Sequence, residues 1–390
     1  MKRLLQKRIY SIIITTMMFS SNANAQNVNI PDAAFKAKLV NNPAINTNGD
    51  GEIQVDEAAA FNGFLNVQAI PYQPLIQNLT GIEAFTALTG LNCSGHLYIY
   101  SLNVTANTAL TYLSCWGLSL SNLNVSNNTA LTYLNCENNN IASLNVAANT
   151  ALTDLNCSDN NLTSLNVSAN TALTSLQCEI NNLSSLDVTA NTALTTLACY
   201  TNQLTSLNVT ANTALTYLGC AYNQLTSLNV AANAALTNLT CSHNQFTSLN
   251  IQNGNNANLT LDAEVNPGLT CIQVDNVANA NSYNGVTFFK DAAASYSTDC
   301  GISSVPVIDN LATVQIFPNP ASSHLTIALG NNNKKVIITI VDITGKIIYA
   351  TTASDTQKTE VFTNDFATGV YAIHIQTPDF MVTKKLVIEK

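Results

Sequence analysis

Ten cysteines are the most reactive groups in this 390-residue chain. Cys115, Cys136, Cys157, Cys178, Cys199, Cys220 and Cys241 recur every 21 residues, and Cys93 precedes them by 22. A file of thiols could form disulfides, bind a metal or act as a redox relay. In-register strands hold their Cβ vectors parallel, which opposes a bridge whose dihedral must be about 90°. A single file also cannot surround a tetrahedral metal ion. The remaining reading is eight buried thiols that serve as small hydrophobes, inert because they are hidden. Cys271 and Cys300 lie out of register, after the last copy. In an oxidising compartment such a pair closes a C-terminal cap, contributing about 3–4 kcal/mol by loop closure.

A second set of potential ligands lies near the start, in NTNGDGEIQVDE at 46–57. Asn46, Asn48 and Asp50 fall at the first, third and fifth positions of a calcium loop. Gly51 makes the sharp turn, Glu52 offers its carbonyl, and Glu57 supplies the bidentate carboxylate. The loop resembles an isolated EF-hand or dockerin loop and predicts structural calcium, pinning a cap over the first coil. Two departures weaken the match: Asn46 replaces the usual aspartate, and Pro43 breaks the entering helix, expected from about Asp32 to Val40. The competing reading is a polar turn that leads into a short helix. Other catalytic chemistry is poorly represented. There is no G-x-S-x-G, no H-E-x-x-H and no Gly-rich phosphate loop. His96, His243, His324 and His374 are the only histidines. Asp159 and His243 would be about 19 Å apart at the coil spacing, so an enzyme is disfavoured.

The cysteines are positioned by a repeat, L-T-x-L-x-C-x-x-N-x-L-x-x-L-N-V-x-x-N-T-A, typified by LTYLNCENNNIASLNVAANTA at 131–151. This resembles the leucine-rich-repeat pattern over about Leu79 to Asn250, with cysteine in the third apolar slot. A 21-residue coil cannot bury its own apolar side, but stacked coils share a continuous core. Leu131, Leu134 and Cys136 point inward from a short strand, and parallel strands stack at about 4.8 Å. Asn139, Asn160, Asn181, Asn202, Asn223 and Asn244 turn inward after the strand to satisfy bared backbone groups. His96 and Leu118 occupy that slot in the first two coils. The back half of each coil is too short for a regular helix and predicts extended or 3₁₀ structure. This register places Tyr112, Tyr133, Asp154 and Tyr217 outward before the cysteines. Trp116, Glu137, Glu179 and Tyr200 follow them, with Tyr222 and His243 alongside. The expected concave face thus carries aromatics and carboxylates and no cation.

The ends of the chain and its charge bound where it works. Lys2, Arg3, Lys7 and Arg8, the apolar run at 9–19 and Ala23-Asn24-Ala25 form a secretory signal pattern. The run is shorter than the roughly 20 residues of a membrane-spanning helix, so membrane insertion of the mature chain is not expected. Residues 26–310 carry 3 basic and 17 acidic side chains, with no Lys or Arg between Lys38 and Lys290. Such a body cannot neutralise phosphates, which excludes nucleic acid and disfavours anionic lipid. The segment IPDAAFKAKL…NTNGDGEIQ resembles the start of leucine-rich-repeat surface proteins of Bacteroidetes-type bacteria. After residue 312, alternating β-branched runs with regular turns predict a small β-sandwich of immunoglobulin-like type. The tail resembles the C-terminal sorting domain of the type IX secretion system. It does so through Pro318-Asn319-Pro320, Asp342 with Gly345-Lys346, Gly369 with Tyr371, and Lys384-Lys385-Leu386.

The expected organisation is a signal peptide at 1–25, a helical cap with the EF-hand-like loop at 26–78, and a solenoid at 79–256. A C-terminal cap at 257–300, a linker at 301–312 and the sorting domain at 313–390 follow. The resemblances imply secretion to the medium or the outer-membrane surface, with the secretion machinery as one partner. The aromatic and acidic concave face, with no cation, points to an adhesin or recognition factor whose partner is an extracellular protein or glycan. A passive coat protein with no specific ligand is the alternative.

Overall fold

The computed structural model describes residues 26–300, 315–328, 336–342, 346–353, 358–376 and 381–390. The signal pattern, the linker and Gly345 lie outside the described residues. The chain divides into two compact units, Met1–Thr298 and Asp299–Lys390.

The first unit opens with the helix Ala33–Val40. Asp32 caps it, accepting the Phe35 N–H at 2.9 Å, and the helix buries Phe35 and Leu39. A shorter helix, Val55–Ala60, follows the candidate calcium loop. Eleven parallel strands then stack in one sheet. They are Phe64–Asn66, Gly90–Asn92, Tyr112–Ser114, Tyr133–Asn135, Asp154–Asn156, Ser175–Gln177, Thr196–Ala198, Tyr217–Gly219, Asn238–Thr240, Thr260–Ala263 and Phe288–Lys290. The register never slips: Leu113, Leu134, Leu155, Leu176, Leu197 and Leu218 pair in sequence. With one face buried, a one-residue slip would expose every one of these leucines.

Each conserved letter of the repeat has a physical task. In the coil at 131–151, Leu131, Leu134, Cys136, Ile141, Leu144 and Val146 are buried in one continuous core. Burying each large aliphatic side chain stabilises the fold by about 1.5–3 kcal/mol. The threonine hydroxyls form a ladder along the sheet edge. Thr132 donates to the Thr111 carbonyl at 3.1 Å, and Thr153, Thr174, Thr195, Thr216 and Thr237 repeat the bond. The expected asparagine ladder is present. Asn181 Nδ2 donates to the carbonyls of Cys157, Cys178 and Glu179, and its Oδ1 accepts the Leu162 N–H at 2.9 Å. A second asparagine ladder runs along the back of the coils, at Asn107, Asn128, Asn149, Asn170, Asn191, Asn212 and Asn233. Each is fully buried; Asn170 Nδ2, for example, donates to Val146 and Asn149. Buried backbone carbonyls at a bend need such donors, because water cannot reach them.

His96 fills the ladder slot of the first cysteine-bearing coil and does the same work. Its Nε2 lies 2.7 Å from the Val67 carbonyl, and its Nδ1 accepts the Ile76 N–H at 3.1 Å. That pairing requires the neutral Nε2–H tautomer. Burial lowers the pKa of the ring, against a smaller upward pull from the Val67 carbonyl.

The sheet runs past both ends of the 79–256 register. Phe64–Asn66 lies in the segment read from sequence as N-terminal cap, and Thr260–Ala263 and Phe288–Lys290 lie in that read as C-terminal cap. The first two keep the alternation of the coils but replace cysteine with Val67 and Ala263, both fully buried, and in the third Lys290 pairs with Ala263 in that slot and is half-buried. The back of the coils is mostly turns, with 3₁₀ segments at Ile82–Ala84 and Asn256–Asn258. Over the last coils it becomes a second parallel sheet of four strands, Ser227–Asn229, Ser248–Asn250, Cys271–Gln273 and Ser295–Ser297.

The second unit holds two antiparallel sheets. One contains Gln315–Phe317, His324–Ala328 and Lys358–Phe362; the other contains Val336–Val341, Ile347–Ala353, Gly369–Gln376 and Met381–Ile388. Leu325, Ile327, Ile338, Ile340, Ile373, Ile375 and Leu386 form their common core.

Candidate binding surface

The ladder cysteines are not the site. All eight are free thiols with no exposed surface. Burial pushes Cys93 and Cys136 up to about 12 and raises the other six as well. At neutral pH they hold no thiolate, and only the thiolate is nucleophilic or metal-binding. Cys271 and Cys300 are both disulfide-bonded.

The candidate calcium loop is closed by its own hydrogen bonds. Asn46 Oδ1 accepts the Gly49 N–H, Asn48 Oδ1 the Asp50 N–H, and Asp50 Oδ1 the Glu52 N–H, each at 2.9 Å. Glu57 Oε1 accepts from the Thr47 N–H and hydroxyl and the Asn48 N–H, while its Oε2 accepts the Gln54 N–H. Burial pushes the Glu57 carboxyl up, but those donors outweigh it and hold the group below the usual range. Lys36 Nζ sits 2.6 Å from both oxygens of Glu52. The candidate ligands Asn46, Asn48, Asp50, Glu52 and Glu57 thus lie in one loop that its own hydrogen bonds and the Lys36–Glu52 ion pair tie together.

The outward residues of the sheet form three columns. In the first, Tyr112 and Tyr133 stack at 4.4 Å with their planes 2° apart. Phe64 joins them, 5.2 Å from Tyr112, because Gly90 leaves the intervening position bare: a Cβ there would lie 2.3 Å from the Phe64 ring. Asp154 Oδ2 lies 2.8 Å from the Thr153 hydroxyl and competes with the Thr132 carbonyl for its single proton. Tyr217 lies down across Gly219, where a Cβ would meet its hydroxyl at 2.8 Å. In-register rings on strands about 4.8 Å apart pack face to face, so their edges and hydroxyls remain for a partner.

The second column contains Trp116, Glu137, Glu179 and Tyr200. Trp116 is exposed. Glu137 accepts from Asn156 Nδ2 at 3.0 Å. Glu179 departs from expectation: it is only 9% exposed, so it is not an open ligand group. The Tyr200 hydroxyl approaches its Oε1 at 3.4 Å, and burial raises its pKa. The third column consists of left-handed residues in the turn that follows each strand. Asn138, Asp159, Ile180, Thr201, Tyr222, His243 and Val265 all have φ between 51° and 55°. Tyr222 and His243 stack there at 4.0 Å. Non-glycine residues rarely adopt this conformation, and here the stacking of coils holds it along a file.

The sorting residues gather in the second unit. Asn319 Nδ2 donates to the Lys385 carbonyl, and its Oδ1 accepts the Val387 N–H, both at 2.8 Å. Asn319, Lys384 and Lys385 line a groove of about 410 Å³ with Ile316 and Phe317. Pro318 and Pro320 flank Asn319 on the surface. The Lys346 N–H donates to Asp342 Oδ1 at 3.1 Å, and the Tyr371 hydroxyl to the Ala367 carbonyl at 2.8 Å. Gly369 opens its strand opposite Ile388. Residues 315–389 match the family described as the secretion system C-terminal sorting domain. The tail carries a type IX sorting domain. It marks the chain as a secreted or outer-membrane surface protein. No helix among the described residues is long and apolar enough to cross a membrane.

No protein of curated function matches the chain in sequence. Among solved structures, the functional domain of InlJ from Listeria monocytogenes, described as including a cysteine ladder, is 23% identical. That match covers 93% of this chain and 98% of the other, with a TM-score of 0.38. The internalin InlF from Listeria monocytogenes is 18% identical over 69% of this chain and 98% of its own, with a TM-score of 0.34. Internalin C2 from the same organism is 18% identical over 57% and 89%, with a TM-score of 0.41. The leucine-rich-repeat assignment rests on the coils themselves: one parallel strand per turn, leucines in register and an asparagine ladder.

Proposed function

We propose that this chain is a surface or secreted interaction protein that binds an extracellular protein or glycan through the outer face of its long sheet, and that it is not an enzyme. The observation that carries this reading is the makeup of that face. Rings from Phe64, Tyr112, Tyr133, Tyr200 and Tyr217 share it with Glu137 and Asp154, and the chain has no Lys or Arg between Lys38 and Lys290. Tyrosine and tryptophan present large apolar areas at small entropic expense, together with a polar tip, which suits both protein and sugar contacts. The sorting domain supports secretion-machinery contact through the tail. Replacing Tyr133, Tyr200 and Tyr217 together with alanine tests the reading. Loss of attachment to a surface partner is expected, whereas unchanged attachment to every partner favours a passive coat.

A further inference from the structure

The left-handed column that follows the strands changes character at its N-terminal end. From Asn138 onward it carries side chains, but Gly95 and Gly117 occupy the two preceding positions, with φ of 80° and 64°. The backbone does not demand glycine there. Seven non-glycine residues hold a left-handed conformation in the following coils, and a Cβ on Gly117 would meet nothing nearer than Gly95 Cα at 3.6 Å. What the two glycines do is leave a floor open. Above it lies a groove of about 460 Å³, walled by Ile70, Tyr72, Leu97 and Trp116. Its polar lining residues, Gln68, Gln73 and Asn138, are uncharged.

The walls are exposed to an unusual degree for such residues. Ile70 is 54% exposed, Leu97 56% and Tyr72 fully. An apolar cluster of this kind with a polar rim marks a protein-contact surface, and Trp and Tyr are the residues that dominate such contacts. Beside it lie Glu137, next to the lining residue Asn138, and Asp159, whose carbonyl accepts the Asn139 N–H, and the chain has no Lys or Arg between Lys38 and Lys290. Charge complementarity therefore calls for basic groups on the partner.

We propose that the groove between the 68–75 segment and Trp116 is a docking site for an apolar side chain of a protein partner, presented next to lysine or arginine. The inference deepens the binding function proposed above and rests on it. The groove takes the anchor, Glu137 and Asp159 receive the flanking cations, and the aromatic columns of the sheet extend the contact.

Trp116 is the only tryptophan in the chain, so its fluorescence reports on this groove alone. Three probe sets are titrated into the full chain: short peptides with a central Leu or Phe flanked by lysines, the same peptides flanked by glutamates, and neutral cello- and manno-oligosaccharides. The lysine-flanked set is expected to shift Trp116 emission to the blue, saturably, and the glutamate-flanked set to bind at least about tenfold more weakly. Gly117→Asn, which installs the residue of the next coil, fills the floor and weakens binding by about tenfold or more. Leu97→Gln, on an exposed wall, does the same without touching the core. Continued masking of the ladder thiols shows that each variant is folded. The proposal is overturned if no peptide moves the emission, if the oligosaccharides do so instead, or if protein concentration alone does so and a second copy fills the groove. Tyr133→Ala with Tyr217→Ala separates the two readings. A peptide signal that survives while surface attachment is unaffected by the sheet variants defeats the sheet reading alone. Attachment that depends on the sheet while the peptide signal is absent defeats the groove alone.

Discussion

Replacing Asn181 with alanine removes one rung of the buried ladder, and the structure says what each partner loses. The Leu162 N–H has Asn181 Oδ1 as its acceptor and is left without one inside the coil. The three carbonyls served by Nδ2 each keep another donor: Asn160 for Cys157, Asn202 for Cys178, and the Asp159 N–H for Glu179. An orphaned buried N–H costs about 1–3 kcal/mol, and the lost donor bonds add about 1 kcal/mol more, giving a loss of about 2–4 kcal/mol. The assay is urea unfolding, read as a shift in midpoint at unchanged slope. Asn182→Ala is the control, since Asn182 is its exposed neighbour and its loss is expected to fall within about 0.5 kcal/mol. Asn181→Asp keeps the acceptor but aims a carboxylate at three carbonyls, so it should be no better than alanine. A loss below about 1 kcal/mol for Asn181→Ala, or one equal to that of Asn182→Ala, would refute the ladder account.

Three further outcomes follow from the same reasoning. The eight ladder thiols should resist alkylation in the native protein and all react once it is unfolded; ready labelling of any native ladder cysteine would contradict their burial. His96 is held neutral by burial, so its folded pKa lies below the ordinary value of about 6.5. The unfolded chain then takes up the proton first. Stability should be full above about 6.5 and decline as pH falls through that value toward the lower folded one. His96→Asn, which restores the ladder residue, should flatten this part of the pH profile; an unaltered profile would remove His96 from the explanation. Calcium in the 46–57 loop should raise the melting midpoint at millimolar concentration, and Glu57→Ala should abolish that rise. A midpoint unmoved by calcium would assign the loop to a hydrogen-bonded turn.

The solenoid was legible because its period is strict. Cysteines every 21 residues fix which side chains share a column, and burial of Leu134, Cys136 and Asn139 then follows from alternation and the bend. The second ladder at Asn149 and Asn170 carried an equally regular signal in N-T-A, but an asparagine between exposed neighbours reads as a turn until its donors are seen. The end coils escaped because Phe64-Leu65-Asn66 and Thr260-Leu261-Asp262 keep the strand alternation without the cysteine. Single-residue contacts were harder still. Phe64 reaches Tyr112 only because Gly90 intervenes, and Glu179 is outward by register yet buried, with Tyr200 beside it from the next coil. The calcium motif was satisfied residue by residue, and the structure adds the hydrogen bonds from Thr47, Asn48 and Gln54 that hold Glu57, which a motif does not show. The groove at Trp116 depends on the 68–75 segment, which has no repeat to place it.

The central claim is that the outer face of the sheet binds a specific extracellular ligand. The most direct measurement is to probe arrays of extracellular proteins and glycans with the full chain and with the Tyr133→Ala, Tyr200→Ala, Tyr217→Ala variant. The account predicts at least one saturable ligand whose binding falls about tenfold or more in the variant. An array with no saturable ligand, or ligands that bind the variant equally well, would contradict it.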